Sequence, residues 1–271
     1  MLSSTGVEFE FRPSPRDHAP VVVFLHACVA DRHMWDHQLD ALGEYHRVAL
    51  DLRGFGGSNT PAGGPWTHAG DVLEVLDGLT AAGDLAAGPV HVVAASFGAG
   101  VAVEVALAQP ERVASLVLSP PRGSLLVTMT PDLRAFIDAE DAALERGDLD
   151  AACAVNVATW AVGPGRRSAD VPDALLRYVS SAQRRAFELE DLVGEPDEPD
   201  VDPAERLGEL DLPVLVLTGA HDLDTTLDAA DRIEREVAGS RRVTWPDAAH
   251  LPTLEHPDRA TALVRDWIAA H

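Results

Sequence analysis

The sequence predicts an α/β fold, a mostly parallel, doubly wound sheet with an all-helical segment inserted between two of its strands. Three observations carry this. Short continuous runs rich in Val and Leu recur along the chain, stretches of helical periodicity separate them, and about ninety residues between Pro120 and Leu212 hold no strand-like run. The runs cover residues 21–25, 48–52, 90–95, 113–118, 214–217 and 241–245, and residues 6–12 alternate as an antiparallel edge strand would. In the strandless stretch, residues 131–146, 148–160 and 173–189 read as amphipathic helices, punctuated by Gly147 and by Gly163-Pro164-Gly165. This divides the chain into a core of residues 1–120 and 206–271 and a helical lid of residues 121–205. Residues 188–211 carry eleven acidic residues against one arginine, which reads as a solvated return to the sheet and not as a cation site.

At 271 residues, with 46% hydrophobic and 24% charged residues, the chain has the balance of a folded domain, not of a disordered or fibrous one. No apolar run reaches the ~18–20 residues of a membrane helix, and residues 1–11 lack the basic start and apolar core of a leader, so the cytoplasm is the expected location. The formal charge of −23 argues against nucleic acid or anionic membranes as partners. All 21 basic residues are arginine, a compositional bias more than a signal. Two distant cysteines, Cys28 and Cys153, give no disulfide framework, and no Cys/His spacing suggests a metal.

The run HVVAASFGAGVAVEVALAQP reads as a strand, a tight turn and a helix, with Ser96 at the turn. A serine there exposes its hydroxyl above a sheet and in front of a helix N-terminus. The turn demands small residues on either side; Gly98 supplies one and Ala94 nearly so. After the run at 214–217 comes Thr218-Gly219-Ala220-His221-Asp222, and after 241–245 comes Pro246-Asp247-Ala248-Ala249-His250. A carboxylate and an imidazole therefore arrive at the carboxyl edge of the sheet, where parallel sheets gather their chemistry. The order Ser96, Asp222, His250 supplies a nucleophile, an orienting acid and the base that the acid orients. Asp224 is the rival acid. The backbone N–H groups of Cys28 and Phe97 are the candidate oxyanion hole, and His26 supports that loop. Cys28 is expected to act only through its backbone, and Asp51 and Arg53 to anchor loops. Trp35, Met129, Phe136, Trp160 and Phe187 are candidates for the apolar wall of a pocket, as is Trp66. Arg122 and Arg134 stand where a substrate carboxylate could be met, with surface arginine the plainer reading.

Five blocks, LHACVADRHMW (25–35), DLRGFGGS (51–58), AASFGAG (94–100), LTGAHD (217–222) and AAHLPTLEHP (248–257), together resemble the α/β-hydrolase fold serine hydrolase family, in its lid-bearing group of esterases, enol-lactonases and C–C bond hydrolases. The resemblance runs nearly end to end. It implies hydrolysis of a small, uncharged or partly hydrophobic ester or lactone through an acyl-enzyme, with no metal or organic cofactor. It also covers C–C bond hydrolysis, cofactor-free perhydrolase or haloperoxidase chemistry, and a slow-turnover ligand-binding relative, and it leaves a homodimer open. Ala27, Ala94 and Ala249 stand where the family usually has glycine, each adding a methyl group to a crowded turn.

Overall fold

The computed structural model describes residues 1–197 and 202–271; residues 198–201, part of the expected acidic return, lie outside the described residues. Among the described residues, seven strands form one sheet: β1 (Phe9–Arg12), β2 (Val21–Leu25), β3 (His46–Leu50), β4 (Val90–Ser96), β5 (Val113–Pro121), β6 (Val214–Gly219) and β7 (Arg241–Trp245). Their spatial order is β1-β3-β2-β4-β5-β6-β7, parallel throughout except for the antiparallel edge pair β1–β3. The expected fold class is therefore the observed one. The strand expected at 48–52 sits two residues earlier: Val21 pairs with His46, and Asp51 and Leu52 instead bend into the next loop.

Among the described residues, nine α-helices accompany the sheet: α1 (Asp36–Ala41), α2 (His68–Ala82), α3 (Phe97–Ala108), α4 (Pro131–Leu144), α5 (Leu149–Asn156), α6 (Asp173–Val193), α7 (Asp224–Glu236), α8 (Pro252–Glu255) and α9 (Pro257–Ala270). The period of two along a strand sends alternate side chains to opposite faces. In β2, Val21, Val23 and Leu25 face a core shared with Val72, Val75 and Leu76 of α2, Val101 and Val105 of α3, and Ile233 of α7. Val22 and Phe24 face the other way, onto Leu39 of α1 and Val264, Trp267 and Ile268 of α9. Continuous apolar strands are thus what a sheet covered on both sides requires.

Between β5 and β6 the described chain is helical, as α4, α5 and α6 with short turns. Thr130 caps α4 through Oγ1, with Pro131 at the first helical position, and Asp148 caps α5. The expected helix over 148–160 breaks in two, because Val157–Val162 is wound as a π-helix. The wider winding ends at Gly163, whose N–H reaches back to the Ala158 carbonyl at 3.1 Å. Among the described residues, no helix is long and apolar enough to cross a membrane.

Two buried ion pairs hold the loops at the carboxyl edge of the sheet. Asp51 accepts the Arg32 backbone N–H at 2.7 Å and the Gly57 N–H at 2.9 Å, and it pairs with the Arg32 guanidinium. Arg53 meets Asp71 of α2 through two bonds, of 2.9 and 2.7 Å, while its Nη1 donates to the Thr60 carbonyl. Removing one partner of such a pair strands the other charge in the core. Arg53→Met should therefore lower unfolding free energy by about 3–5 kcal/mol, read as a shifted urea midpoint; a shift below ~1 kcal/mol would show the pair to be dispensable.

Candidate active site

The turn from β4 into α3 sets the site. Ser96 lies at φ 53°, ψ −116°, a conformation that side chains rarely adopt. It occupies the N-cap of α3, yet its hydroxyl makes no cap bond. The Phe97 N–H, at the start of the helix, therefore has no side-chain acceptor among the described residues. The turn closes only because residue 98 lacks a side chain: a Cβ there would stand 2.7 Å from the His26 carbonyl oxygen and 2.9 Å from the Leu25 carbonyl carbon. The Gly98 N–H in fact donates to that His26 carbonyl at 3.1 Å, locking the elbow against β2.

His250 joins the two distant loops. Its Nε2 lies 2.8 Å from Ser96 Oγ, and its Nδ1 lies 2.8 and 2.9 Å from the two Asp222 oxygens. Asp222 Oδ1 also accepts the Leu223 N–H at 2.7 Å, which fixes the carboxylate. All three side chains are buried, with Ser96 at 0% and His250 at 1% exposure. The rival acid, Asp224, opens α7 on the exposed side, its N–H donating to Asp132 of α4.

Across from Ser96, the loop after β2 carries Cys28. Among the described residues no backbone carbonyl accepts the Cys28 N–H. His26 Nδ1 donates to the Ala27 carbonyl at 2.8 Å and Nε2 accepts the Leu52 N–H at 2.9 Å, so the ring is the neutral Nδ1–H tautomer and braces this loop. Burial pushes its pKa below the ordinary value, which agrees with that tautomer. Burial likewise pushes the Cys28 thiol up, against the lowering influence of Arg122.

The pocket candidates separate into different places. Trp160, carried by the π-helix, puts its ring 4.6 Å from the His250 ring, and Phe136 meets Trp160 edge-on at 4.9 Å. Trp35 is fully buried against Phe24 in the core. Met129 is 51% exposed, and Phe187 is half-buried on α6. Trp66 sits beneath the Arg53 guanidinium. Arg134 is exposed, but Arg122 is half-buried with its guanidinium 4.0 Å over the Trp160 ring. Its place one residue past the β5 end was the available signal.

Sequence reasoning missed how the helical segment grips the site. Glu255 accepts the Ala249 N–H at 2.7 Å with one oxygen and a buried bond from Arg166 at 2.6 Å with the other. Gly163 abuts the same loop: a Cβ there would lie 2.3 Å from the His221 carbonyl oxygen and 2.7 Å from the Ala249 methyl. The extra methyl at 249 is thus accommodated by a glycine across from it. Tyr178 of α6 exchanges hydrogen bonds with Asp31, near the Cys28 loop.

A model described as the alpha/beta hydrolase family matches residues 22–263. The chain is 25% identical over 280 aligned positions to the pimeloyl-[acyl-carrier protein] methyl ester esterase of Neisseria meningitidis serogroup B, covering 95% of this chain and 96% of that protein. Among solved structures, an esterase from Rhodococcus sp. ECU1013 superposes with a TM-score of 0.73 at 26% identity, over 99% of this chain and 97% of that one. The enol-lactonase from Burkholderia xenovorans LB400 superposes with a TM-score of 0.74 at 20% identity, over 97% and 95%.

His68, packed edge-on against Phe97, is held neutral by burial, its pKa lowered to about 3. The unfolded chain takes up this proton as pH falls through about 6.5, whereas the folded chain does not until far lower pH. Stability is therefore lost as pH drops below 6.5, with His68 contributing about 2 kcal/mol of that loss at pH 5. Urea midpoints at pH 7.5 and pH 5 should differ less for His68→Phe than for the parent chain; equal differences would remove His68 as a cause.

Proposed function

The chain belongs to the alpha/beta hydrolase family, and on that premise we propose that it is a serine hydrolase of small esters or lactones that works through an acyl-enzyme. The observation that carries this reading is His250, hydrogen-bonded at once to Ser96 and Asp222 at 2.8 Å. The relatives named for methyl ester and enol-lactone substrates support the same bond class.

In this reading Ser96 Oγ attacks the carbonyl carbon while His250 Nε2 takes its proton. Asp222 keeps the Nδ1–H tautomer and balances the imidazolium that forms. The amides of Cys28 and Phe97 receive the developing oxyanion. Removing one donor of that kind typically costs ~3 kcal/mol of transition-state stabilisation, so both amides matter to the rate. His250 then hands its proton to the leaving alcohol. A water, deprotonated by the same imidazole, attacks the acyl-enzyme and releases the acid and free Ser96. Residues 121–205 act as a lid: Trp160 and Phe136 form the apolar wall, and closure over the site strengthens every charge interaction beneath.

A fluorophosphonate probe should label the chain at Ser96 and fail to label Ser96→Ala. His250→Ala, with unchanged circular dichroism, should lower kcat/KM for p-nitrophenyl butyrate by about a thousandfold or more. Labelling that survives Ser96→Ala, or full turnover by His250→Ala, would remove the corresponding assignment.

A further inference from the structure

Arg122 follows Pro121, the β5 residue paired with Ser96, so it leaves the sheet beside the nucleophile. Its side chain turns inward. Nη1 points at the Cys28 thiol at 3.7 Å, and the buried Nε donates to nothing among the described residues. The Cys28 thiol in turn adjoins Ser96. One face of the guanidinium is covered by Trp160, whose own buried Nε1–H also lacks an acceptor. Glu140 of α4 feels the charge of Arg122, but its carboxylate is engaged by the Asn156 side-chain amide.

A guanidinium carries five N–H donors in its plane and costs much to take out of water unless an anion meets it. Stacking on an indole occupies only its face and leaves the in-plane edge free for a planar acceptor. A thiol is a poor acceptor for that edge, whereas a carboxylate fits it bidentately. Arg53 and Arg166, also buried, each have their carboxylate within the chain. Half-buried Arg122 forms no ion pair among the described residues.

We infer that Arg122 is the binding group for a carboxylate carried by the substrate, within a few bonds of the reacting carbonyl. This rests on the serine hydrolase reading and deepens it: the preferred substrates are esters or lactones bearing an anionic arm, not the uncharged or partly hydrophobic ones that the resemblance implied. The guanidinium supplies at close range the attraction that an overall charge of −23 denies an anion at long range.

The test compares monomethyl succinate with methyl 4-methylpentanoate, a neutral ester of matched shape, by methanol release. The parent chain favours the anionic ester. Arg122→Gln lowers the ratio of the two kcat/KM values by about 10- to 100-fold, as loss of a charge-assisted contact does, and Arg122→Lys falls between. The exposed Arg134→Gln keeps the parent ratio. An unchanged ratio in Arg122→Gln, or an equal loss on both esters, overturns the inference and leaves Arg122 a packing residue. Fluorophosphonate labelling at Ser96 separates the two levels. Labelling with no preference for the anionic ester overturns the carboxylate role alone, whereas no labelling overturns the serine hydrolase reading and this inference with it.

Discussion

Ser96 is held at a backbone angle that L residues avoid, at a cost of about 1–3 kcal/mol, and most of the site follows from how that angle is enforced. A strand paired on both sides arrives from below, and a helix packed on the sheet departs immediately after. Gly98 lets the two meet within one carbonyl's distance of β2. The strained residue cannot relax into an ordinary N-cap without surrendering its hydrogen bond to His250. Its hydroxyl therefore stays turned toward the imidazole.

The legible parts of the molecule were those written in short range. Ser96 ends a strand, Asp222 and His250 each follow one within a few residues, and the carboxyl ends of parallel strands share one edge, so their convergence could be expected without coordinates. Alternation and apolar runs likewise revealed the sheet, though not that His46–Leu50 would slide to pair with Val21. The helical segment was legible as helices but not as a surface. Its π-helix decides that Trp160 meets His250, and no periodicity signals a π-turn. Trp35 and Met129 were both candidate wall residues, yet one is in the core and the other half exposed, because their places depend on long-range packing.

The all-arginine composition also takes on meaning only in three dimensions. Arg32, Arg53 and Arg166 each clamp a loop at the rim through a buried carboxylate, using the planar fork that lysine lacks. A bias that read as compositional background has been put to structural use at the places where loops must hold still.

The Arg166–Glu255–Ala249 chain makes one carboxylate the link between the helical segment and the loop bearing His250. One Glu255 oxygen holds the backbone a single residue before the imidazole, and the other takes a guanidinium that follows the π-helix. The imidazole thus inherits its footing from a side chain that answers to two parts of the chain at once, and a change far from it in sequence is felt beside it in space.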